Sequence, residues 1–257
     1  MITGIQQPKL IALFSDFGVS GPYNGQIQAL FAAAGVEQPV VQLMADAPRF
    51  APRPSAYLLA AIAQGVPPGS LVISIVDPGV GSERRAIIVQ DSGQWFLGPD
   101  NGLLSQVARR SGDAEIEEIV WRPQRLSKSF HGRDLFAPVA AAICNQEYVP
   151  GPPLQIESLV GAEWPDDLAE VIYIDDFGNL ISGIGAASIS SETALEVAGT
   201  LVTHADTFSE VPRGAIFWYA NSMGLIEIAV NQGSAAQTLG LSIGTPIGLG
   251  EWSAANI

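Results

Sequence analysis

Between Leu71 and Val89 the chain reads LVISIVDPGVGSERRAIIV, an apolar run broken at Asp77-Pro78-Gly79 and resumed after Arg84-Arg85. Proline and glycine force a sharp turn there, and Gly79 and Gly81 leave no side chain between the backbone and a ligand. A carboxylate and a guanidinium are therefore expected over one small cavity. With His131 further along, these are the residue types that polarise a water, take its proton and stabilise developing charge. Each also has an ordinary use. Asp77 ahead of Pro78 suits the first position of a type I turn. Arg84 and Arg85 suit a solvated strand start, and His131 suits the approach to a helix that Asp134 helps to begin. Residue types alone leave a joint Asp77–Arg84–His131 site standing beside those uses.

Other chemistries fall away on spacing. The stretch Gly79-Val80-Gly81-Ser82-Glu83-Arg84 matches the first part of a dinucleotide fingerprint. Arg84 then occupies the third glycine position and a strand follows, not a helix, so a nicotinamide or flavin site is disfavoured. The chain has neither a Walker A sequence nor a G-x-S-x-G elbow. Two histidines, His131 and His204, and one cysteine, Cys144, leave little material for a zinc site, so no metal is expected.

A net charge of −14, from 26 acidic and 12 basic residues, argues against nucleic acid and suits a cationic or neutral small molecule. The single cysteine excludes an intrachain disulfide and points to a reducing compartment. No basic stretch followed by an apolar one opens the chain, and no apolar run reaches the roughly 20 residues of a membrane span. A cytoplasmic protein without a membrane partner is the expectation. Only 15% of residues are charged, which suggests apolar surface buried between subunits.

The elements that must hold these groups follow from periodicity. Leu10–Phe14, Val40–Met44, Leu71–Val76, Ala86–Val89 and Trp95–Leu97 read as strands. Pro22–Gly35, Pro54–Gln64, Leu103–Arg110 and Asp134–Asn145 read as helices. Alternation of the two predicts a parallel sheet covered on both faces. Four strand ends each deliver an aspartate, Asp16, Asp46, Asp77 and Asp100, to the rim where open α/β sheets bind ligands. Prolines and glycines over 151–168 read as a linker. Beyond it, Val171–Ile174, Leu180–Ile184, Leu195–Val202, Ala215–Ala220 and Leu225–Val230 read as short strands, and only Ala235–Leu239 as helical. The division is thus an N-terminal α/β domain over 1–150 and a smaller all-β, barrel-like domain over 169–257.

Read as whole segments, the chain resembles the S-adenosylmethionine hydroxide adenosyltransferases, relatives of the fluorinase and chlorinase enzymes. The resemblance rests on FSDFG at 14–18, VDPGVGSERRA at 76–86, GPDNGLLS at 98–105, FHGRDLFAPVAA at 130–141, IDDFGNLISGI at 174–184 and NSMGLIEIAVNQGSAAQTLGL at 221–241. It implies a Rossmann-like α/β/α domain followed by a β-barrel, and a homotrimer whose active sites lie between the N-terminal domain of one subunit and the C-terminal domain of the next. It implies attack of water or hydroxide on the adenosyl C5′ of S-adenosylmethionine, giving adenosine and methionine without metal or organic cofactor. The family's catalytic Asp, Arg and His fall on Asp77, Arg84 and His131. The halogenating relatives have other residues at the aspartate and histidine positions, so hydrolysis is favoured over halide transfer. A non-catalytic protein that binds adenosine or S-adenosylmethionine would not need Arg84 and His131.

The same resemblance assigns the binding residues. Asp16 would accept both ribose hydroxyls. Phe50 would pack on the ligand, Asp175, Phe177 and Asn179 would read its methionine end and adenine, and Phe208 and Ser222 would line the same region. Core packing is the ordinary alternative for Phe50, Phe177 and Phe208. Two positions depart from the family. Gly21 replaces a common acidic residue that helps bind the ammonium group, and Met223 stands where a relative has an arginine near the carboxylate. Both fall on the amino-acid end of the substrate. Some members favour the non-physiological sulfonium epimer.

Overall fold

The computed structural model describes residues 7–110 and 112–250. They divide into two compact units, one ending at Trp164 and the other beginning at Pro165.

In the first unit, apolar β-branched runs form the strands that sit deepest. The chain runs β1 (Leu10–Ser15), α1 (Tyr23–Ala33), β2 (Val40–Met44), α2 (Pro52–Ala63) and β3 (Ser70–Ile75). There follow β4 (Ala86–Asp91), β5 (Gln94–Pro99), α3 (Ser105–Arg109), β6 (Glu115–Glu118), α4 (Ala137–Cys144) and β7 (Pro153–Leu154). One seven-stranded sheet results, in the order β2-β1-β3-β5-β4-β6-β7. β3 and β5 are buried along their whole lengths, as strands covered on both faces are. Ile27 and Phe31 of α1 and Val139, Ala140 and Ile143 of α4 pack on Ile11, Leu13, Leu71 and Ile73 of the sheet.

The sheet is not wholly parallel. β1, β2, β3 and β5 are parallel neighbours, whereas β4 and β7 run against them and β6, between those two, pairs antiparallel with both. Only Ser92 and Gly93 join β4 to β5, both with positive φ (51° and 74°), and a two-residue turn of that kind can only reverse the chain. The reversal has a consequence for chemistry. The N-terminal end of β4 lies at the rim where β3 and β5 end, so Arg84 and Arg85 meet the strand-end aspartates.

The helix expected from Asp134 begins differently. Residues Gly132–Phe136 form a π-helical turn, in which Ala137 N–H reaches Gly132 C=O, and α4 continues from it. Pro138 lacks an N–H and its ring crowds the preceding turn, so a wider turn relieves both problems.

The second unit holds two antiparallel sheets. β8 (Leu168–Ile174), β9 (Leu180–Gly185), β12 (Ile216–Ala220) and β13 (Leu225–Val230) pair in the order β12-β13-β9-β8. β10 (Ala194–Val197), β11 (Thr200–Val202) and β14 (Gly248–Gly250) pair in the order β11-β10-β14. The run expected as one strand over Leu195–Val202 is a hairpin, turning at Ala198 and Gly199 with φ of 51° and 76°. Helix α5 (Ala235–Leu239) starts at Ser234, whose side chain accepts the Gln237 N–H.

Candidate active site

Asp77 follows β3, and its turn is a pair of short hydrogen-bonded loops, Val80 N–H to Asp77 C=O and Ser82 N–H to Gly79 C=O. Gly81 is glycine for a reason other than ligand access. Its φ is +84°, and a Cβ there would lie 2.3 Å from the Lys128 carbonyl oxygen. The glycine thus lets the segment before His131 lie against the Asp77 turn. Gly132 does similar work, since a Cβ on it would crowd Ile75, Phe130 and Phe17.

The result is a compact trio. Arg84 Nε donates to Asp77 Oδ1 at 2.7 Å and Nη2 donates to Asp77 Oδ2, a fork on both carboxylate oxygens. The same Nη2 lies 3.1 Å from His131 Nδ1. The ion pair is out of water, with side-chain exposures of 9% for Arg84 and 4% for Asp77. The guanidinium also lies 5.7 Å from the centroid of the Phe136 ring.

Arginine only donates hydrogen bonds, so Nδ1 of His131 must present its lone pair, and the neutral ring carries its proton on Nε2. Burial lowers the His131 pKa, and the Arg84 charge lowers it further against an opposing pull from Asp77. Both leading causes hold the ring neutral.

A cavity of about 420 Å³ opens on this trio, lined by Asp16, Phe17, Tyr23, Arg49, Phe50, Asp77, Phe130 and His131 among others. Arg84 is absent from its wall. It lines a smaller cavity of about 260 Å³, with Ser82, Lys128 and Leu135, whose wall shares His131 with the larger one. The expectation of a carboxylate and a guanidinium over one cavity is corrected accordingly. Asp77 and His131 face the larger space, and Arg84 stands behind them and bonds both.

Asp16, directly after β1, is the second carboxylate of that space. Its Oδ2 accepts the Phe50 N–H at 3.0 Å. Burial raises its pKa above 3.8, while the Phe50 bond opposes the rise. Phe50 itself has φ of 59°, uncommon for a bulky residue, and the residue is 76% exposed. Core packing is therefore excluded for Phe50. Three aromatics that sequence reasoning passed over, Phe17, Tyr23 and Phe130, meet at the same wall with ring centroids 5.2–5.7 Å apart. Phe17 and Phe130 sit inside the FSDFG and FHGRD segments, which was the available signal; Tyr23 had none beyond its place at the start of α1.

Of the other strand-end aspartates, Asp100 does structural work at the rim. Asp100 accepts Arg85 Nε at 2.8 Å and Val160 N–H at 3.0 Å, which ties β5 to the 158–160 segment. Asp46 follows β2 and does not line the cavity.

The second unit has its own cavity of about 500 Å³, lined by Asp175, Phe177, Asn179, Phe208, Tyr219, Glu227 and neighbouring residues. Asp175 Oδ1 accepts the N–H groups of Phe177 and Asn179 at 3.0 and 2.8 Å, and Oδ2 accepts Asn179 Nδ2 at 3.1 Å. Phe177 at the tip of this turn is 80% exposed, so it too is no core residue. Phe208 stacks edge-on to Phe217 at 5.0 Å. Ser222 is not in this wall; it lies on the exposed turn between β12 and β13. Sequence reasoning missed Glu227, which is buried and accepts from Tyr219 Oη at 2.5 Å and from Asn221 Nδ2 at 2.9 Å. Its position inside an apolar strand was the signal. Burial, and the bond to Glu227 after it, push the Tyr219 hydroxyl pKa upward.

Gly21 is accounted for by local geometry, because a Cβ there would lie 2.8 Å from the Phe17 carbonyl oxygen. Among the described residues no three His, Cys, Asp or Glu side chains gather as metal ligands, and no helix is long and apolar enough to cross a membrane.

Comparison with known proteins gives consistent matches. Residues 11–150 match the SAM hydroxide adenosyltransferase N-terminal domain and residues 169–248 the C-terminal domain. A Thermus thermophilus protein named (R)-S-adenosyl-L-methionine hydrolase is 36% identical, over 93% of this chain and 98% of its own length. A Salinispora arenicola protein of the same name is 34% identical, over 91% and 95%. Among solved structures, an uncharacterized conserved protein from Thermotoga maritima superposes with a TM-score of 0.83 at 28% identity, over 94% of this chain and all of that one.

Proposed function

The chain belongs to the SAM hydroxide adenosyltransferase family, and from that premise we propose that it hydrolyses S-adenosylmethionine to adenosine and methionine. The observation that carries the mechanism is the double engagement of Arg84, which donates to Asp77 and to His131 at once.

In the reaction, a water oxygen bonds to C5′ as the C5′–S bond breaks, and the bonding pair leaves with sulfur as a neutral thioether. No acid is needed for that leaving group. The attacking oxygen becomes strongly acidic as it bonds to carbon, so a carboxylate is base enough to take its proton. His131 Nδ1 is occupied by Arg84, which leaves Nε2–H as a donor that orients the water. Asp77, with lone pairs to spare beyond the Arg84 fork, takes the proton. Arg84 aligns both groups from behind the wall and does not touch the water.

Asp16 receives the ribose diol, and its carboxylate oxygens suit two vicinal hydroxyls. The aromatic wall of Phe17, Tyr23, Phe50 and Phe130 offers ring faces to the sulfonium. Asp175, Phe177, Asn179, Phe208 and Ser222 belong to the part of the site that the family builds from the C-terminal domain. A homotrimer, with that domain closing the first-unit cavity of the neighbouring subunit, goes with this reading, as do a Rossmann-like first domain (1–150), a barrel-like second (169–257) and a cytoplasmic setting. The names of the Thermus and Salinispora relatives support a preference for the (R) sulfonium epimer.

The test is chromatography of the purified protein with each epimer, with and without chloride. Adenosine and methionine accumulating with time, and lost in His131→Ala, are expected. A halogenated nucleoside, or tight binding without product, would overturn the hydrolase assignment.

A further inference from the structure

Among the described residues that line the 420 Å³ cavity, Arg49 alone carries a fixed positive charge. The trio makes no use of it. Its guanidinium has no hydrogen-bond or ion-pair partner among the described residues. Asp16 feels its charge without pairing to it. Arg49 is exposed to the open cavity, so its guanidinium is solvated there and available to an incoming anion.

The backbone on either side of Arg49 is nevertheless held in place. The next residue, Phe50, is held in a left-handed conformation by its N–H bond to Asp16. The preceding Pro48 carbonyl accepts the Ala51 N–H at 3.2 Å and Ser55 Oγ at 3.4 Å, which ties the loop to the start of α2. The guanidinium lies over the loop that follows Asp16, its Nη2 3.9 Å from where a Cβ on Gly18 would be. That loop, Phe17-Gly18-Val19-Ser20-Gly21, carries no charge of its own.

An adenosyl sulfonium bearing an amino-acid tail brings one carboxylate, at the end remote from the ribose. With the diol on Asp16, a tail that runs along the Phe17–Gly21 loop would meet the Arg49 guanidinium, which lies over Gly18. Its planar fork of N–H donors matches both oxygens of a carboxylate. Building on the hydrolase reading above, we propose that Arg49 is the specificity-determining residue for the substrate's α-carboxylate, so that the enzyme selects adenosyl sulfonium compounds that carry one. Arg49 binds and discriminates; it takes no part in the proton transfer.

The test crosses two substrates with two enzymes. S-Adenosylmethionine and its decarboxylated analogue are each assayed with wild type and with Arg49→Gln, following adenosine release and, by calorimetry, binding. Wild type should favour the carboxylate-bearing compound by about 10- to 100-fold in kcat/KM, the worth of one charged pair of hydrogen bonds. Arg49→Gln should lose that preference through KM, with kcat kept and the decarboxylated compound unaffected. Arg49→Lys should recover part of it. A wild type indifferent to decarboxylation, or equal losses on both compounds, overturns the proposal while leaving adenosine release to judge the hydrolase reading. If neither compound turns over, that reading falls, and the same ratio taken from the Kd values decides for or against Arg49.

Discussion

Replacing Asp77 by Asn separates the proton acceptor from the scaffold around it. The side chain keeps its shape, but one oxygen becomes an amide NH₂ facing a guanidinium that can only donate. Arg84 therefore loses half of its fork and all of its counter-charge, in a place where both side chains are almost fully buried. Breaking a buried pair by removing one partner costs about 3–5 kcal/mol, and the surviving carbonyl acceptor argues for about 3. At roughly 2–4 °C per kcal/mol for a unit of this size, Tm should fall by roughly 6–12 °C. The rate should fall further than the stability implies. Without the Asp77 carboxylate the remaining carboxylate of the wall, Asp16, is taken up by the ribose diol in the proposed complex. No acceptor is then left beside the water, and a loss of about 10³ in kcat follows, about 4 kcal/mol of barrier. KM should change little, because Asp16 and the aromatic wall are untouched. The assay is steady-state adenosine release below the lowered Tm, with His131→Gln run beside it. Glutamine can still donate a hydrogen bond, so that variant should keep more activity than Asp77→Asn. An Asp77→Asn enzyme within about 10-fold of wild-type kcat, or one less impaired than His131→Gln, would refute the assignment of Asp77 as acceptor.

Gly81→Ala should be strongly destabilising, by more than about 2 kcal/mol in a denaturant titration, because φ of +84° and the Lys128 carbonyl both exclude a Cβ. Acidification should weaken the fold through His131. Its folded pKa lies below the unfolded 6.5, so between those values the unfolded chain binds the extra proton. This contribution is complete above pH 6.5 and declines as pH falls toward the folded value, which urea titrations of wild type and His131→Gln across that window would show. Cys144 should resist a thiol reagent in the native protein at neutral pH, since burial pushes its thiol up to about 11; a native-state reaction as fast as the unfolded one would contradict this.

Much of the frame was written in the sequence because its signals are local. Apolar runs of five or six residues became the parallel strands, and an aspartate after each of them reached a common rim, since strands that run together end together. The two-domain division came from a change of period that needs no partner to be seen. Strand β6 escaped notice because Glu115-Ile116-Glu117-Glu118 is acidic, and only pairing with β4 makes it a strand. The Ser92-Gly93 turn was local too, but its effect was not: reversing β4 is what carries Arg84 to the end of β3. The resemblance named Asp77, Arg84 and His131, yet a list of residues contains no sides. Tertiary structure alone set Arg84 behind the wall, made His131 Nδ1 an acceptor, separated Asp100 from Asp16 and Asp77, and left Ser222 outside the second cavity. The same holds for Arg49. In sequence it is one exposed charge in a loop after β2, and it gains meaning only when the fold brings that loop to Asp16. Side-chain environment depends on contacts between residues distant in the chain, whereas secondary structure and strand ends depend largely on neighbours, and that difference divides what could be read from what had to be seen.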